Sequence, residues 1–149
     1  MDDNVLISIK TIQEMDGEKL EPIELQTPGK FGIINNKYFI KYKESEMTGF
    51  VDTTTTVKVW EDNVVVSRSG KYNMSLHYKK GERNLCLYPT PYGDIGAALY
   101  TSDIMYDFKE LSGKLRVDYV LDADNENFIN NSLNISVCPI EADRKDECK

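Results

Sequence analysis

The sequence predicts one all-β domain built from short antiparallel strands. In residues 114–122, apolar side chains occupy the odd positions, while Lys114, Arg116 and Asp118 occupy even ones. This period of two is typical of a strand with one buried face. Similar runs recur along the chain between turn residues, and no stretch repeats apolar residues at helical spacing. Near-continuous hairpins favour an up-and-down barrel, because closure also removes exposed sheet edges.

In the first half of the chain, strand-like segments flank recognisable turns. Asp16-Gly17 is a strong hairpin signal, and Asn35-Asn36 are residues that tolerate a positive φ. The flanking segments are rich in Val, Ile, Thr, Tyr and Phe, which are strong strand formers. The predicted strands here are 5–12, 21–27, 29–34, 37–42, 50–60 and 64–70.

The second half continues the pattern with one ambiguous stretch. In residues 102–113 a short helix competes with extended structure, because Ile104, Met105 and Phe108 could line one side of a helical turn. Both alternatives stay open. The predicted strands are 71–78, 83–88, 94–101, 114–122 and 131–139. The side chains expected on interior faces are Leu115, Val117, Tyr119, Leu121, Leu133, Ile135 and Val137. Ile95, Ala97, Leu99 and Thr101 share one face of their strand.

Length and charge limit the function classes. A chain of 149 residues suits one domain, and we expect a barrel over residues 1–140 followed by an acidic tail over 141–149. The net charge of -7 argues against nucleic acid and against anionic membrane surfaces as partners. No apolar run approaches the roughly 20 residues of a membrane span.

The N-terminus and the cysteines predict a cytoplasmic protein. The opening MDDNVLISIK has no basic, apolar leader. Cys86, Cys138 and Cys148 form no C-x-x-C pair, so neither a zinc ribbon nor a redox pair is predicted.

No catalytic or metal-binding pattern is present in the sequence. His77 is the only histidine and precedes a lysine-rich turn, and no G-x-S-x-G elbow occurs. One histidine and three scattered cysteines do not make a usual metal ligand set, and the acids at 122–126 depart from the calcium-loop pattern. We therefore predict no catalytic residue, no metal and no cofactor.

Several short motifs, in their order and spacing, resemble a known family. They are Thr56-Val57-Lys58, Arg68-Ser69-Gly70, Met74 and the stretch from Tyr88 to Gly93. With the closing hairpin, they resemble the YwiB-like proteins, uncharacterised cytosolic bacterial proteins of the calycin superfamily, which also holds the lipocalins and fatty-acid-binding proteins. The resemblance implies a calycin-like barrel of about eight to ten antiparallel strands. It implies no reaction.

Two places are candidates for ligand contacts, provided by Arg68, Tyr88, Thr90 and Tyr92. Arg68 shares its strand face with Val64 and Val66. If that face is interior, Arg68 either joins an internal ion pair or closes a barrel end, which we favour, or it clamps an anionic ligand. The other three residues alternate around two prolines, as a ligand-binding mouth or as a rigid corner.

Two functions remain open on the sequence alone. The leading hypothesis is a non-enzymatic barrel that binds a small, partly apolar ligand in its lumen. The alternative is an interaction or homo-oligomeric module with a packed interior, and an enzyme of unassigned reaction ranks third. Trp60 lies on the face opposite Val57 and Val59, which makes it a candidate contact for a homodimer.

Overall fold

The structure, a computed structural model, describes residues 3–15, 17–44, 52–71, 73–90, 93–122 and 128–140, without the side chains of 88–90 and 93–95. The predicted tail at 141–149 lies outside these ranges. The strands are β1 Val5–Met15, β2 Glu18–Lys19, β3 Ile23–Ile34, β4 Lys37–Lys43, β5 Thr53–Trp60, β6 Asn63–Gly70, β7 Met74–Lys79, β8 Arg83–Thr90, β9 Gly93–Lys109, β10 Ser112–Asp122 and β11 Phe128–Pro139. No helix in these ranges is long and apolar enough to cross a membrane.

The strands form a nearly closed, antiparallel, up-and-down barrel, which confirms the predicted fold class. Neighbouring strands follow the order β7-β6-β5-β4-β3-β1-β11-β10-β9-β8, and β2 pairs only with β1. The first long strand therefore pairs with the last, and the remaining gap lies between β7 and β8. We call this gap the seam. Beside the seam, two hydrogen bonds join the turn between β7 and β8 to β9, from Gly81 N to Thr101 O (2.8 Å) and from Thr101 N to Glu82 O (3.2 Å).

The structure corrects the prediction of two separate strands at 21–27 and 29–34, because β3 runs through both. Its first part pairs with β1 as far as Gly29, and its second part pairs with β4 from Lys30 onward. The Pro28-Gly29 step is thus a barrel corner rather than a break. Gly29 is needed there because a Cβ would collide with the Ile7 side chain and lie 2.5 Å from Lys41 O.

Residues 102–109 are extended, so the helical alternative is wrong. β9 continues through them to Lys109, and the pairing with β10 shifts register beside Asp118. Asp118 pairs with Asp103 and Tyr119 with Thr101, which leaves Ser102 as the extra residue of a β-bulge. The bulge moves the inward face from odd positions, such as Leu99, to even positions, such as Ile104.

The interior faces agree with the prediction wherever their side chains are described. Val117 is fully buried, and Arg116 on the opposite face is exposed. Asp118 is half-buried on that outer face, where Arg116 Nε donates to its Oδ1 at 3.0 Å. The predicted interior residues Leu115, Val117, Ile135 and Val137 are buried, Tyr119, Leu121 and Leu133 pack against the core, and Ala97, Leu99 and Thr101 are buried on their shared face. The side chain of Ile95 lies outside the described ranges.

Candidate functional site

A row of inward side chains crosses four strands at one end of the lumen. We call this the polar end, where β4 and β6 finish and β5 and β7 begin. In the strand register Tyr42 lies opposite Thr55, Thr55 opposite Arg68, and Arg68 opposite Met74. Each residue falls on the interior parity of its strand, so the fold brings together side chains that are far apart in sequence.

Glu44 extends this row just beyond the end of β4. Its side chain is buried, with a relative exposure of 8% for the residue. Thr55 Oγ1 donates a hydrogen bond to Glu44 Oε1 at 3.0 Å, and Glu44 N donates to Thr53 O at 2.8 Å. A buried carboxylate requires such partners, since burial without them is costly.

The phenol of Tyr42 lies between two charges. Burial raises the pKa of Tyr42 above its ordinary value, and the Glu44 carboxylate raises it further. The positive charge of Arg68 acts in the opposite direction, as does a hydrogen bond with Thr55. Because both charged groups act on one hydroxyl, Glu44 and Arg68 belong to the same cluster. Tyr42 therefore stays protonated at neutral pH, as a neutral hydrogen-bonding group.

Arg68 lies on the interior face of β6, which was the condition for a role inside the barrel. Val64 and Val66 on the same face of β6 are buried. Nη1 of Arg68 donates to the Met74 sulfur at 3.5 Å. A thioether is a weak acceptor, so a ligand oxygen would be a stronger partner for this N–H.

The other predicted ligand residues are only partly located. Tyr88 and Thr90 lie in β8, opposite Ile95 and Gly93 of β9. Because all neighbouring strands are antiparallel, β8 finishes at the same end at which β7 begins. Their backbones therefore lie at the polar end, while their side chains and the whole of Tyr92 fall outside the described structure. Their contact with a ligand stays a prediction.

The opposite end of the lumen is filled by aromatic rings. Phe108 packs against Phe31 and Tyr38 with ring centroids 5.2 Å and 4.9 Å apart. Tyr106 joins them and donates its hydroxyl to Glu61 O at 3.1 Å. We call this the aromatic end. The interior is thus divided into a packed half and a half with polar groups.

A described cavity lies elsewhere, on the outer face of β3, β1, β11, β10 and β9. This outer trough measures about 1160 Å³ and is lined mostly by exposed and half-buried residues. Two of its cations are already engaged, Lys10 with Glu24 at 3.5 Å and Arg116 with Asp118 at 3.0 Å. The trough is open, and its lining carries charges of both signs.

His77 and Trp60 form a stack of rings on the outer surface. Their ring centroids lie 6.3 Å apart, and His77 Nε2 is 3.0 Å from Asn63 Oδ1. Lys37 Nζ lies 4.3 Å from the centroid of the Trp60 ring. Trp60 does face outward as predicted, but these neighbours partly cover it. Among the described residues no group of His, Cys, Asp and Glu could hold a metal ion.

The sequence pattern points to Arg68 but not to Tyr42, Glu44 and Thr55. One signal was present, since Glu44 continues the alternation of Tyr38, Ile40 and Tyr42. An acid on the interior parity of a strand is a candidate for a buried polar group. Pairing it with Arg68 required knowledge of which strands are neighbours.

Known proteins similar to this chain give a family but no activity. A family model described as a domain of unknown function, DUF1934, matches residues 7–135. An uncharacterised β-barrel protein of Bacillus subtilis, YwiB, is 30% identical over 122 residues, which are 82% of this chain and 84% of that protein. The crystal structure of YwiB from Bacillus subtilis matches with a TM-score of 0.76 at 25% identity, covering 90% of this chain and 91% of that one. The resemblance predicted from the sequence is confirmed.

Proposed function

The chain belongs to the DUF1934 family, whose function is unknown, and we propose that it is a non-enzymatic cytoplasmic protein that binds a small ligand at the polar end of its barrel. The ligand has an apolar body and an uncharged, hydrogen-bonding head. The single observation that carries this proposal is the cluster of Tyr42, Glu44, Thr55 and Arg68 on the interior side of neighbouring strands at the polar end. Apolar residues would fill such a space at lower cost, because buried charges lose their hydration.

The charges of the cluster favour a neutral head. Glu44 and Arg68 carry opposite formal charges, and both lie near the Tyr42 hydroxyl. An anionic ligand would be repelled by the Glu44 carboxylate, whereas a carbonyl, amide or hydroxyl group would accept an N–H of Arg68 without that repulsion. This refines the anion clamp considered for Arg68 alone.

The body of the ligand would meet apolar side chains next to the cluster. Met74 lies beside Arg68, and Leu76 and Val66 continue the same interior surface. Methionine adapts its shape readily, which suits a binding surface. The packed aromatic end sets the depth that a ligand can reach.

Binding rather than catalysis is supported by the state of the titratable groups. Tyr42 has a raised pKa, so it does not exchange protons near pH 7, where a general base would need to do so. His77 lies on the outer surface, away from this cluster.

The proposed cytoplasmic location depends on the oxidation state of the cysteines. Cys86 is a free, half-buried thiol, whereas Cys138 is disulfide-bonded. Disulfides are rare in reducing compartments, so the proposal requires that Cys138 be reduced in living cells. Alkylation of thiols during cell lysis, followed by mass spectrometry, should find Cys138 modified. An oxidised Cys138 would place the protein in an oxidising compartment.

Native mass spectrometry of untagged protein purified from its own host tests the ligand proposal. The expected result is one additional small mass per chain, lost on denaturation and identified in the extract as a neutral, partly apolar compound. The same measurement on Glu44→Gln should show reduced occupancy. A bare chain, together with no thermal shift across a library of such compounds, would instead support the packed, interaction-module alternative.

A further inference from the structure

One edge of the sheet carries features that the ligand proposal does not use. β8 pairs with β9 along its whole length, from Arg83 opposite Tyr100 to Thr90 opposite Gly93. Its other edge faces the seam and has no ladder with any strand in the described ranges. Near the start of that edge, the Asn84 side chain donates a hydrogen bond to His77 O at 3.0 Å. Between Leu85 and Tyr88 the outer edge of β8 offers backbone groups to another strand, whereas Pro89 has no N–H to donate.

The outward face of this edge strand is strongly apolar. Leu85 and Leu87 are 86% and 65% exposed, the highest values among large hydrophobic residues in the described structure. Their neighbours on β9 are Ala98 and Gly96, which cover little of them. Between Asn84 and Tyr88 the strand has no charged residue and no bulge, although natural edge strands use such features to prevent pairing.

The local sequence is symmetric in a way that suits a second copy of the same chain. Leu85-Cys86-Leu87 reads the same in both directions. If two β8 strands pair antiparallel about a twofold axis at Cys86, Leu85 of each copy lies opposite Leu87 of the other, on the same face. Such cross-strand apolar pairs stabilise a sheet. In this register Arg83 of one copy lies opposite Pro89 of the other, so no like charges meet, and Arg83 keeps its ion pair with Asp122 of its own chain at 3.3 Å.

We infer that the protein forms a homodimer through its β8 edges, paired antiparallel and centred on Cys86. The interface is isologous, as expected of a twofold dimer, and joins two barrels through one continuous pair of strands. It places the two Cys86 residues directly opposite each other. Directly opposed residues of antiparallel strands have Cβ atoms about 4.5–5.5 Å apart, which a small shift brings within disulfide reach.

Light scattering over a concentration series tests the oligomeric state under reducing conditions. The expected mass for wild type at high concentration is twice the 17.1 kDa of one chain. Leu85→Lys should be monomeric throughout, with an unchanged circular dichroism spectrum and melting temperature, because Leu85 makes few contacts in its own barrel. Ile33→Lys is the matched control, since Ile33 is 61% exposed on β3, away from β8. It should dimerise like wild type.

Mild oxidation with copper phenanthroline supplies a second measurement that locates the interface. Wild type should form a Cys86–Cys86 cross-link, identified by peptide mapping, and Cys86→Ser should lose it while remaining dimeric. A wild type that is monomeric at every concentration overturns the inference. A dimer that persists in Leu85→Lys and yields no Cys86 cross-link also overturns it. So does a protein that stays monomeric and whose β8 edge pairs only with an added extended peptide. None of these outcomes depends on whether the lumen holds a ligand.

Discussion

Thr55 Oγ1 donates a 3.0 Å hydrogen bond to Glu44 Oε1, and both residues are buried inside the barrel. Strand pairing brings this contact about, because β4 and β5 are neighbours and Thr55 falls on the interior parity. A hydrogen bond to a charged group contributes more to stability than one between neutral groups. The pair therefore stabilises the polar end as well as shaping it.

Thr55→Val should lower the free energy of unfolding by about 1.5–3 kcal/mol, because the carboxylate loses a donor while the side-chain shape is kept. Thr54→Val is the control, since Thr54 is the outward neighbour on the same strand. It should stay within about 0.5 kcal/mol of wild type. Urea denaturation of both variants measures this, and equal losses would mean that the hydrogen bond contributes nothing.

Arg68→Met should destabilise the protein by roughly 3–5 kcal/mol, because Glu44 would keep its buried charge without the nearby cation. The double variant Glu44→Gln with Arg68→Met should recover most of that loss, since no buried charge is left over. Chemical denaturation of the four members of this cycle gives the coupling. If Arg68→Met were as stable as wild type but lacked an acidic ligand that wild type retains, the result would instead support the role of Arg68 as a clamp for an anionic ligand.

The raised pKa of Tyr42 predicts that the folded protein loses stability at alkaline pH. Its pKa is raised in the folded protein by burial and by Glu44 above the ordinary 10.0 of an unfolded chain. Above about pH 10 the unfolded state therefore binds fewer protons than the folded state, and stability falls with rising pH by up to about 1.4 kcal/mol per unit. Below that pH this contribution is fully present and constant.

Tyr42→Phe should remove that dependence. Its stability difference from wild type should be constant between pH 7 and about pH 9 and should shrink above pH 10 as wild type loses stability. Denaturation curves across this pH range measure the effect. A difference that stays constant through alkaline pH would show that Tyr42 titrates alike in both states.

Val117→Ala should cost on the order of 1–3 kcal/mol, because Val117 is fully buried and its truncation leaves a cavity. Asp118→Ala, on the outer face of the same strand, should stay within about 0.5 kcal/mol, since its ion pair with Arg116 is largely exposed. The ranking is read from midpoints of chemical denaturation. A reversed ranking would invert the assigned faces of β10.

Gly29→Ala and Gly96→Ala should have opposite effects. At Gly29 a Cβ would collide with Ile7 and lie 2.5 Å from Lys41 O, so we expect a loss of about 1–3 kcal/mol. At Gly96 a Cβ meets nothing within 4 Å, so reduced freedom of the unfolded chain should leave stability unchanged or raised by about 0.4–1 kcal/mol. Thermal melts separate the two, and a tolerated Gly29→Ala would refute the crowded corner.

Local patterns of residues were enough to predict most of the strands and which face of each is buried. β10 and β11 show why, since apolar and polar side chains alternate over residues 114–119 and 132–137 and so indicate which face of each strand is buried. Turn residues were equally local signals, as Asn35 and Asn36 adopt φ values of 52° and 64°. These properties depend on neighbours in sequence, so a single sequence is enough to predict them.

The remaining features emerge only in the folded chain, because they depend on which strands are neighbours. Pro28-Gly29 has the composition of a break, yet β3 passes through it because two different partner strands hold its two halves. The bulge at Ser102 changes which residues of β9 face inward, from odd to even positions. The spacing of the apolar residues in this part of the sequence therefore resembles that of a helix. Glu44 and Arg68 both act on Tyr42 because β4, β5 and β6 lie side by side, a long-range relation that no local pattern of residues contains.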